Sequence, residues 1–253
     1  MRRGLTAFTL GALAFAGSAQ AAPQGELQLG RALYASACAS CHGGTGLGNP
    51  GTGPPEKGAR GVPGAGPPLV GSGARAAHFY LTTGYMPLSD PHDQPIRRRP
   101  AFREHGLRAV IAYLASFGGP PIPQPHPEQG NLAEGLRLFT EHCAGCHQVV
   151  AEGGVVTDAV APALDQSTPV QIAEAVRIGP YVMPAFPESQ LSDAELDSVI
   201  AYVQYAKHPD DRGGWSLGHL GPVPEGLVAW LIAGGALIAV SLLIGARRRS
   251  EGP

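Results

Sequence analysis

Aromatic residues make up 6% of the 253-residue chain and charged residues 15%, and there are only four cysteines and three methionines. Each scarcity excludes something. Basic residues are few and the aromatics fall in helical stretches, so the chain carries no nucleic-acid signature. Small domains of about 90 residues have limited cores. With so few aromatics, each half of this chain is expected to need added apolar mass to fold.

What is there is concentrated in two places. Cys38-Ala-Ser-Cys41-His42 and Cys143-Ala-Gly-Cys146-His147 repeat one C-x-x-C-H pattern and use every cysteine in the chain. Two thiols one helical turn apart can add to the two vinyl groups along one edge of a porphyrin, and the histidine that follows can ligate its iron. The pattern therefore predicts two covalently bound haem c groups. A four-thiolate zinc site and a pair of disulfides are the alternatives. Neither requires a histidine after each pair, and the 105-residue offset between pairs is far from zinc-ribbon spacing.

The methionines sharpen this reading. Besides Met1 there are only Met86 and Met183, each followed by proline, 44 residues after His42 and 36 after His147. A thioether on the second axial position completes six-coordination and raises the reduction potential relative to bis-histidine ligation. The metal ligands expected are thus His42 with Met86 and His147 with Met183. Met as a core filler is the plainer possibility, with His78, His92, His105 and His208 as fallback ligands.

Both ends of the chain point to a membrane. Residues 1–21 read as a signal peptide: Arg2-Arg3, an apolar stretch from Leu5 to Ala16, and Ala19-Gln20-Ala21 as a small-x-small cleavage site. An uncleaved N-terminal anchor is the other possibility. Residues 227–246 form an apolar run of about 30 Å as a helix, a bilayer's thickness. Arg247-Arg248-Arg249 directly after it places the tail, residues 247–253, in the cytoplasm and the bulk of the chain outside. Trp230 lies near the outer end, where interfacial aromatics sit.

Between these ends the chain repeats itself. Gly30 and Tyr34 precede Cys38 by eight and four residues, as Gly135 and Phe139 precede Cys143. Leu29, Leu33 and Tyr34 in one copy, and Leu132, Leu136 and Phe139 in the other, have helical spacing, and the small glycine would let a second helix cross closely. After each methionine comes a candidate for that helix, Val110-Ile-Ala-Tyr113-Leu114 and Val199-Ile-Ala-Tyr202-Val203. Ser192-Asp-Ala-Glu195 is a capping box opening the latter, whose apolar face is Leu196, Val199, Ile200 and Val203. Gly66-Pro67-Pro68-Leu69 corresponds to Ala161-Pro162-Ala163-Leu164.

The order helix, C-x-x-C-H, Pro-x-Leu, Met-Pro, helix resembles class I cytochrome c domains. That resemblance implies that the Pro67 and Pro162 carbonyls accept the Nδ1 protons of His42 and His147, fixing each imidazole. The fold class expected is all-α: a first domain over residues 27–118, a Pro-rich linker over 119–127 and a second domain over 128–210. A juxtamembrane segment over 211–226 and a C-terminal transmembrane helix follow. The first copy alone has a Gly/Pro-rich loop from Gly43 to Pro68 and an insert from Ser89 to Pro100, including Arg97-Arg98-Arg99. The linker, with five prolines between Gly118 and Pro127, is expected to be extended and stiff.

Net charge is −2, unevenly spread. Residues 22–127 carry nine Lys/Arg against five Asp/Glu, and residues 128–226 four against fourteen, so +4 faces −10. Solubility alone can account for such a surface; the sharper reading is that the two domains meet different redox partners.

Residues 215–230, with Gly-Pro-x-Pro-Glu-Gly leading into the terminal helix, resemble the dihaem cytochrome c subunit of the actinobacterial menaquinol–cytochrome c reductase, the cytochrome bcc complex. The likeness covers nearly the whole chain, departing at the cleavable-looking N-terminus. It implies partners: a cytochrome b subunit that oxidises menaquinol, a Rieske iron–sulfur subunit that delivers electrons to the first haem, and an aa3-type cytochrome c oxidase in the same supercomplex that receives them from the second. The chain would be an electron-transfer subunit with no quinol site of its own. A membrane-anchored dihaem carrier for another dehydrogenase or oxidase shares all the haem residues. A dihaem peroxidase needs an open iron face, against which the two Met-Pro segments argue.

Overall fold

The computed structural model describes residues 24–49, 66–90, 93–209 and 222–250. The expected signal peptide (1–21), most of the Gly/Pro-rich loop, His92, Trp215 and most of the juxtamembrane segment lie outside the described residues.

Two hydrophobic cores organise residues 24–207. The first gathers Tyr34, Ala77, Leu81, Val110 and Leu114; the second is built on Phe139, Ile172, Val199, Ile200 and Val203, among others. Each is wrapped by an equivalent set of helices. In the first domain these are α1 (Gln24–Ala37), the single turn α2 (Ala39–His42), α3 (Gly73–Thr82) and α4 (Glu104–Ala115). In the second they are α5 (Leu132–His142), the turn α6 (Ala144–His147), α7 (Pro169–Ile178) and α8 (Asp193–Lys207).

The first and last helices of each set cross where a glycine removes the side chain. A Cβ on Gly30 would run into the Ala109 carbonyl oxygen and come within 2.8 Å of Tyr113 Cβ. One on Gly135 would run into the Ser198 carbonyl oxygen and come within 3.0 Å of Tyr202 Cβ. Four residues on from each glycine an aromatic ring meets the tyrosine of the crossing helix. Tyr34 and Tyr113 stand 5.4 Å apart at 53°, Phe139 and Tyr202 5.3 Å apart at 52°. The sequence periodicity for α5 is off by a fraction of a turn, however. Leu138 is buried beside Phe139, whereas Leu132 and Leu136 are exposed, because the close approach at Gly135 fixes which face of α5 meets α8.

Local chemistry sets the helix starts. Asn131 caps α5 by accepting the Glu134 N–H at 3.0 Å. The Thr168–Gln171 capping box opens α7, and the Ser192 N–H donates to Glu195 Oε2 at 2.8 Å ahead of α8. The second domain also contains a feature the all-α expectation omits. Strands β1 (Gly154–Val156) and β2 (Ala159–Ala161) form a small antiparallel hairpin. Its two-residue turn carries Asp158 at φ 60°, a conformation Asp tolerates.

The linker is pinned at both ends. The Arg75 N–H donates to the Pro120 carbonyl at 3.2 Å, and the His126 N–H to Asp197 Oδ1 at 2.7 Å, just before a 3-10 turn at Pro127–Gln129 that packs on α8.

Across the domain interface α3 packs on α7, the corresponding helices of the two copies. His78 Nδ1 meets Glu174 Oε1 at 2.7 Å. Glu174 is fully buried, and burial holds its carboxyl above the usual range, opposed by the hydrogen bond and charge of His78 and by the Arg75 charge. Gln171 Nε2 donates to Thr82 Oγ1 at 3.0 Å, and the first-domain insert reaches over as well, through Gln94 and Arg97.

Described by itself, α9 (Pro222–Ser250) has a span from Gly226 to Arg247 that is long and apolar enough to cross a bilayer, with none of its apolar window buried. Trp230 on it is 78% exposed.

Candidate functional site

Each C-x-x-C-H motif forms the same turn. In the first copy Cys38 is the half-in residue before α2, at φ −123°, and its carbonyl accepts the N–H groups of Cys41 at 3.1 Å and His42 at 2.9 Å. In the second Cys143 sits at φ −120° and accepts from Cys146 at 3.1 Å and His147 at 2.9 Å. The turn puts both thiols of a pair on a single helical turn and sends the histidine out of its end. None of the four cysteines is in a disulfide. Burial pushes the Cys38 thiol up, and burial followed by the charge of Cys146 pushes Cys143 up to about 11, the mark of apolar surroundings at both positions.

Both histidines are then fixed by a proline carbonyl. His42 Nδ1 donates to the Pro67 oxygen at 2.8 Å, and His147 Nδ1 to the Pro162 oxygen at 3.0 Å. A committed Nδ1–H leaves the Nε2 lone pair as the free donor on each ring. His147 is buried, and burial holds it below the usual imidazole range, so it is neutral and able to ligate.

Glycine makes room for the first of these contacts. A Cβ on Gly66 would lie 2.7 Å from the Cys41 oxygen and 3.0 Å from His42 Nδ1, and one on Gly48 would lie 3.2 Å from the Pro67 carbonyl carbon. The proline segment is also tied back to the motif loop. The Leu69 N–H donates to the Gly46 carbonyl at 2.8 Å, as the Leu164 N–H does to Ala151 at 2.9 Å.

In the second domain these groups open onto a cleft of about 1120 Å³, its solvent-filled mouth included. Cys143, Cys146, His147 and Met183 all line it, on walls supplied by residues such as Phe139, Leu164, Ile172 and Val176. An apolar cleft of this size holding two thiols, an imidazole with a free Nε2 and a thioether fits a covalently attached haem. In the first domain Cys38, Leu69 and Met86 pack against that domain's own core. The Met86–Pro87 peptide is cis. Among the described residues no three of His, Cys, Asp and Glu come together as a metal cluster, so the cysteine pairs do not assemble a shared zinc site there.

The fallback ligands take other places. His78 is engaged with Glu174, while His105 and His208 are exposed. What the sequence did not single out is a contribution from the first domain. Phe79, Tyr85, Gln94, Pro95 and Arg97 line the second-domain cleft. The only sequence sign of this was the insert itself, present in one copy and absent from the other.

Comparison with known proteins agrees with this geometry. Residues 27–117 match the family model described as Cytochrome c, and residues 130–203 the one described as Cytochrome C oxidase, cbb3-type, subunit III. The chain is 34% identical over 249 residues to the cytochrome bc1 complex cytochrome c subunit of Corynebacterium diphtheriae, covering 91% of this chain and 84% of that one. It is 36% identical over 231 residues to the Mycobacterium bovis protein of the same description, covering 87% and 78%. A weaker similarity, 29% over 195 residues, covers 69% of this chain and 60% of the cbb3-type cytochrome c oxidase subunit CcoP of an Azospirillum species.

Proposed function

The chain belongs to the family of cytochrome c subunits of the cytochrome bc1 complex, and from that membership and the duplicated site we propose that it is a dihaem electron-transfer subunit of a membrane-bound menaquinol–cytochrome c reductase. Cytochrome c domains carry covalent haem c, whose iron takes up and releases single electrons. In this reading Cys38 and Cys41 tether one haem and Cys143 and Cys146 the other, with His42 and Met86, and His147 and Met183, as the axial ligands.

The protein's own work is positional. The Pro67 and Pro162 carbonyls hold each imidazole in one tautomer and orientation, so its Nε2 stays aimed without rearrangement as an electron arrives or leaves. The apolar walls of the second cleft keep water from the site, which together with thioether ligation favours a high potential. Electrons would come from a Rieske iron–sulfur subunit beside a cytochrome b subunit, and leave to an aa3-type oxidase held in a supercomplex. Quinol oxidation belongs to another subunit. The apolar helix from Gly226 to Arg247 anchors the assembly, with the arginines after it on the cytoplasmic side and both haem domains outside.

The observation that carries this reading is the repeated histidine–proline contact, at 2.8 and 3.0 Å, following two identical cysteine turns. Acid-acetone stripping followed by intact-mass measurement tests it. The wild-type polypeptide should keep two porphyrin masses, and Cys38→Ser with Cys41→Ser, or Cys143→Ser with Cys146→Ser, should keep one. A stripped wild-type chain without bound porphyrin would overturn the proposal. Co-purification with cytochrome b and Rieske subunits tests the partners.

A second reading, a membrane-anchored dihaem carrier serving another oxidase, draws on the similarity to the cbb3-type subunit. It shares every haem residue and predicts an oxidase in the purified complex with no Rieske protein.

A further inference from the structure

The second haem cleft is not finished by its own domain. Gln94, in the first-domain insert, grips strand β2 with both ends of its amide. Nε2 donates to the Val160 carbonyl at 2.7 Å, and Oε1 accepts the Val160 N–H at 3.0 Å. Three residues on, Arg97 enters the cleft wall, where Nη2 donates to Ser167 Oγ at 3.2 Å and to Gln171 Oε1 at 3.1 Å. Both bonds come from one nitrogen. Nε and Nη1 make no hydrogen bond to the described residues.

Charge distribution makes this position informative. Of the described residues lining the cleft, Arg97 is the only one of the types Asp, Glu, Lys or Arg. The second domain has three described basic side chains of its own, and none lines the cleft. Arg137 is held by Glu134 and Glu141, Arg177 by Asp193, and Lys207 by the Ser167 carbonyl. A haem carries two carboxylates, and a carboxylate taken out of water needs a paired cation or several donors. Among the described residues the acidic second domain lines its cleft with no such cation, Lys207 reaching only the carbonyl of Ser167, whereas the basic first domain puts one in the lining.

We propose that the first-domain insert completes the haem site of the second domain, with Arg97 as the cation that faces a haem carboxylate while Gln94 clamps the insert in place. The inference rests on the dihaem reading. It adds that the potential of the second haem is set in part by the neighbouring domain. A fixed positive charge near the ring favours the reduced state, which is the less positively charged of the two. Its removal therefore lowers the potential of that haem alone.

The test is a spectroelectrochemical titration of the purified membrane complex. In the wild type, two one-electron steps are expected, and Met183→His identifies the step of the second domain by moving only that one. Arg97→Gln should shift the same step to lower potential by about tenfold in the oxidised-to-reduced ratio, or about 59 mV, and leave the other in place. Arg97→Lys, which keeps the charge, should shift it by clearly less. Gln94→Ala, which keeps the charge but loosens the clamp that holds it, should shift the same step in the same direction by less than Arg97→Gln. An unshifted step in Arg97→Gln, or equal shifts in Arg97→Gln and Gln94→Ala, would overturn the proposal while leaving two haems intact. A wild type without two covalent haems would instead bring down the dihaem reading, and this inference with it.

Discussion

The two domains solve one problem with the same frame and different fittings. In both, a glycine lets the first and last helices touch backbone to backbone, and in both an aromatic pair at nearly the same distance and angle seals that crossing. The hydroxyl that anchors the motif loop has changed helices. In the first domain Tyr34 on α1 donates to the Gly43 carbonyl at 2.6 Å. In the second, Phe139 stands in the place of Tyr34, and Tyr202 on α8 donates to the Val149 carbonyl at the same 2.6 Å. The bond to the loop is kept, and the side chain supplying it is free to move. The larger difference is at the cleft: the second domain has part of its wall built by the first, through an insert with no counterpart in its own sequence.

If the crossing is the shared foundation, breaking it should be costly and equally so in both copies. Gly30→Ala and Gly135→Ala each push a methyl group into a backbone carbonyl that cannot swing aside. Overpacking of this kind typically costs about 1–3 kcal/mol, and contact with backbone puts both glycines at the upper end. Urea unfolding of the purified chain, followed by hydrogen exchange in each domain, should show one domain destabilised per variant. A cost near zero at either glycine would mean that the two crossings are not equivalent.

The interface gives the next effect in size. Burial raises the folded-state pKa of Glu174 above its unfolded value, so its carboxylate is the disfavoured form in the native protein. Such a group lowers stability above its folded pKa, and that cost disappears as the pH falls toward the unfolded value near 4.5. Its Oε2 has no hydrogen-bond partner, and only the His78 contact and the Arg75 charge oppose the burial. Glu174→Gln should therefore raise the melting temperature at pH 8, with the gain shrinking on acidification. A variant less stable than wild type at every pH would show that the His78–Glu174 pair more than offsets its burial.

The hydroxyl exchange predicts smaller and matching losses. Tyr34→Phe and Tyr202→Phe should each cost about 1 kcal/mol, read as a lower urea midpoint for the domain concerned. An effect at only one of them would mean that the loop anchor matters in that copy alone.

Much of this was legible in the sequence because it depends on spacing. The cysteine turns, the glycine eight residues ahead, the Ser192–Glu195 cap and the apolar face of α8 are local patterns, and local patterns survive translation into structure. The face of α5 was read less well, since Leu132 and Leu136 keep helical spacing but the backbone contact at Gly135 turns them outward. The β1–β2 hairpin was missed because Val155 and Val160 are largely exposed and its strands are only three residues long. The reach of Gln94 and Arg97 into the other domain was not readable, because it depends on α3 packing against α7 and no periodicity encodes that contact.

The finest comparison lies in the loop after each histidine. The first domain places Gly43 and Gly46 at φ 74° and 73°; the second places Gln148 and Ala151 at positive φ as well, at 59° and 61°. The hydrogen bonds match, with the Gly43 N–H donating to Ala39 and the Gln148 N–H to Ala144, both at 2.9 Å. The second copy thus bears a strain that the first avoids. Gln148, at ψ 161°, stands in the positive-φ extended region that glycine alone enters readily, where an L side chain costs about 1–3 kcal/mol, and glycine gives back about 0.5–1 through unfolded-state entropy. Gln148→Gly should therefore stabilise the second domain by about 0.5 kcal/mol, measured as a small rise in its urea midpoint at unchanged haem content. Ala151 is a harsher site for the same change, because its methyl is buried in the second core and its loss removes packing. A gain at Gln148 with none at Ala151 is the expected pattern. Equal gains at both would mean that backbone strain alone governs this loop, and a loss at Gln148 that its side chain contributes more than the positive-φ turn costs.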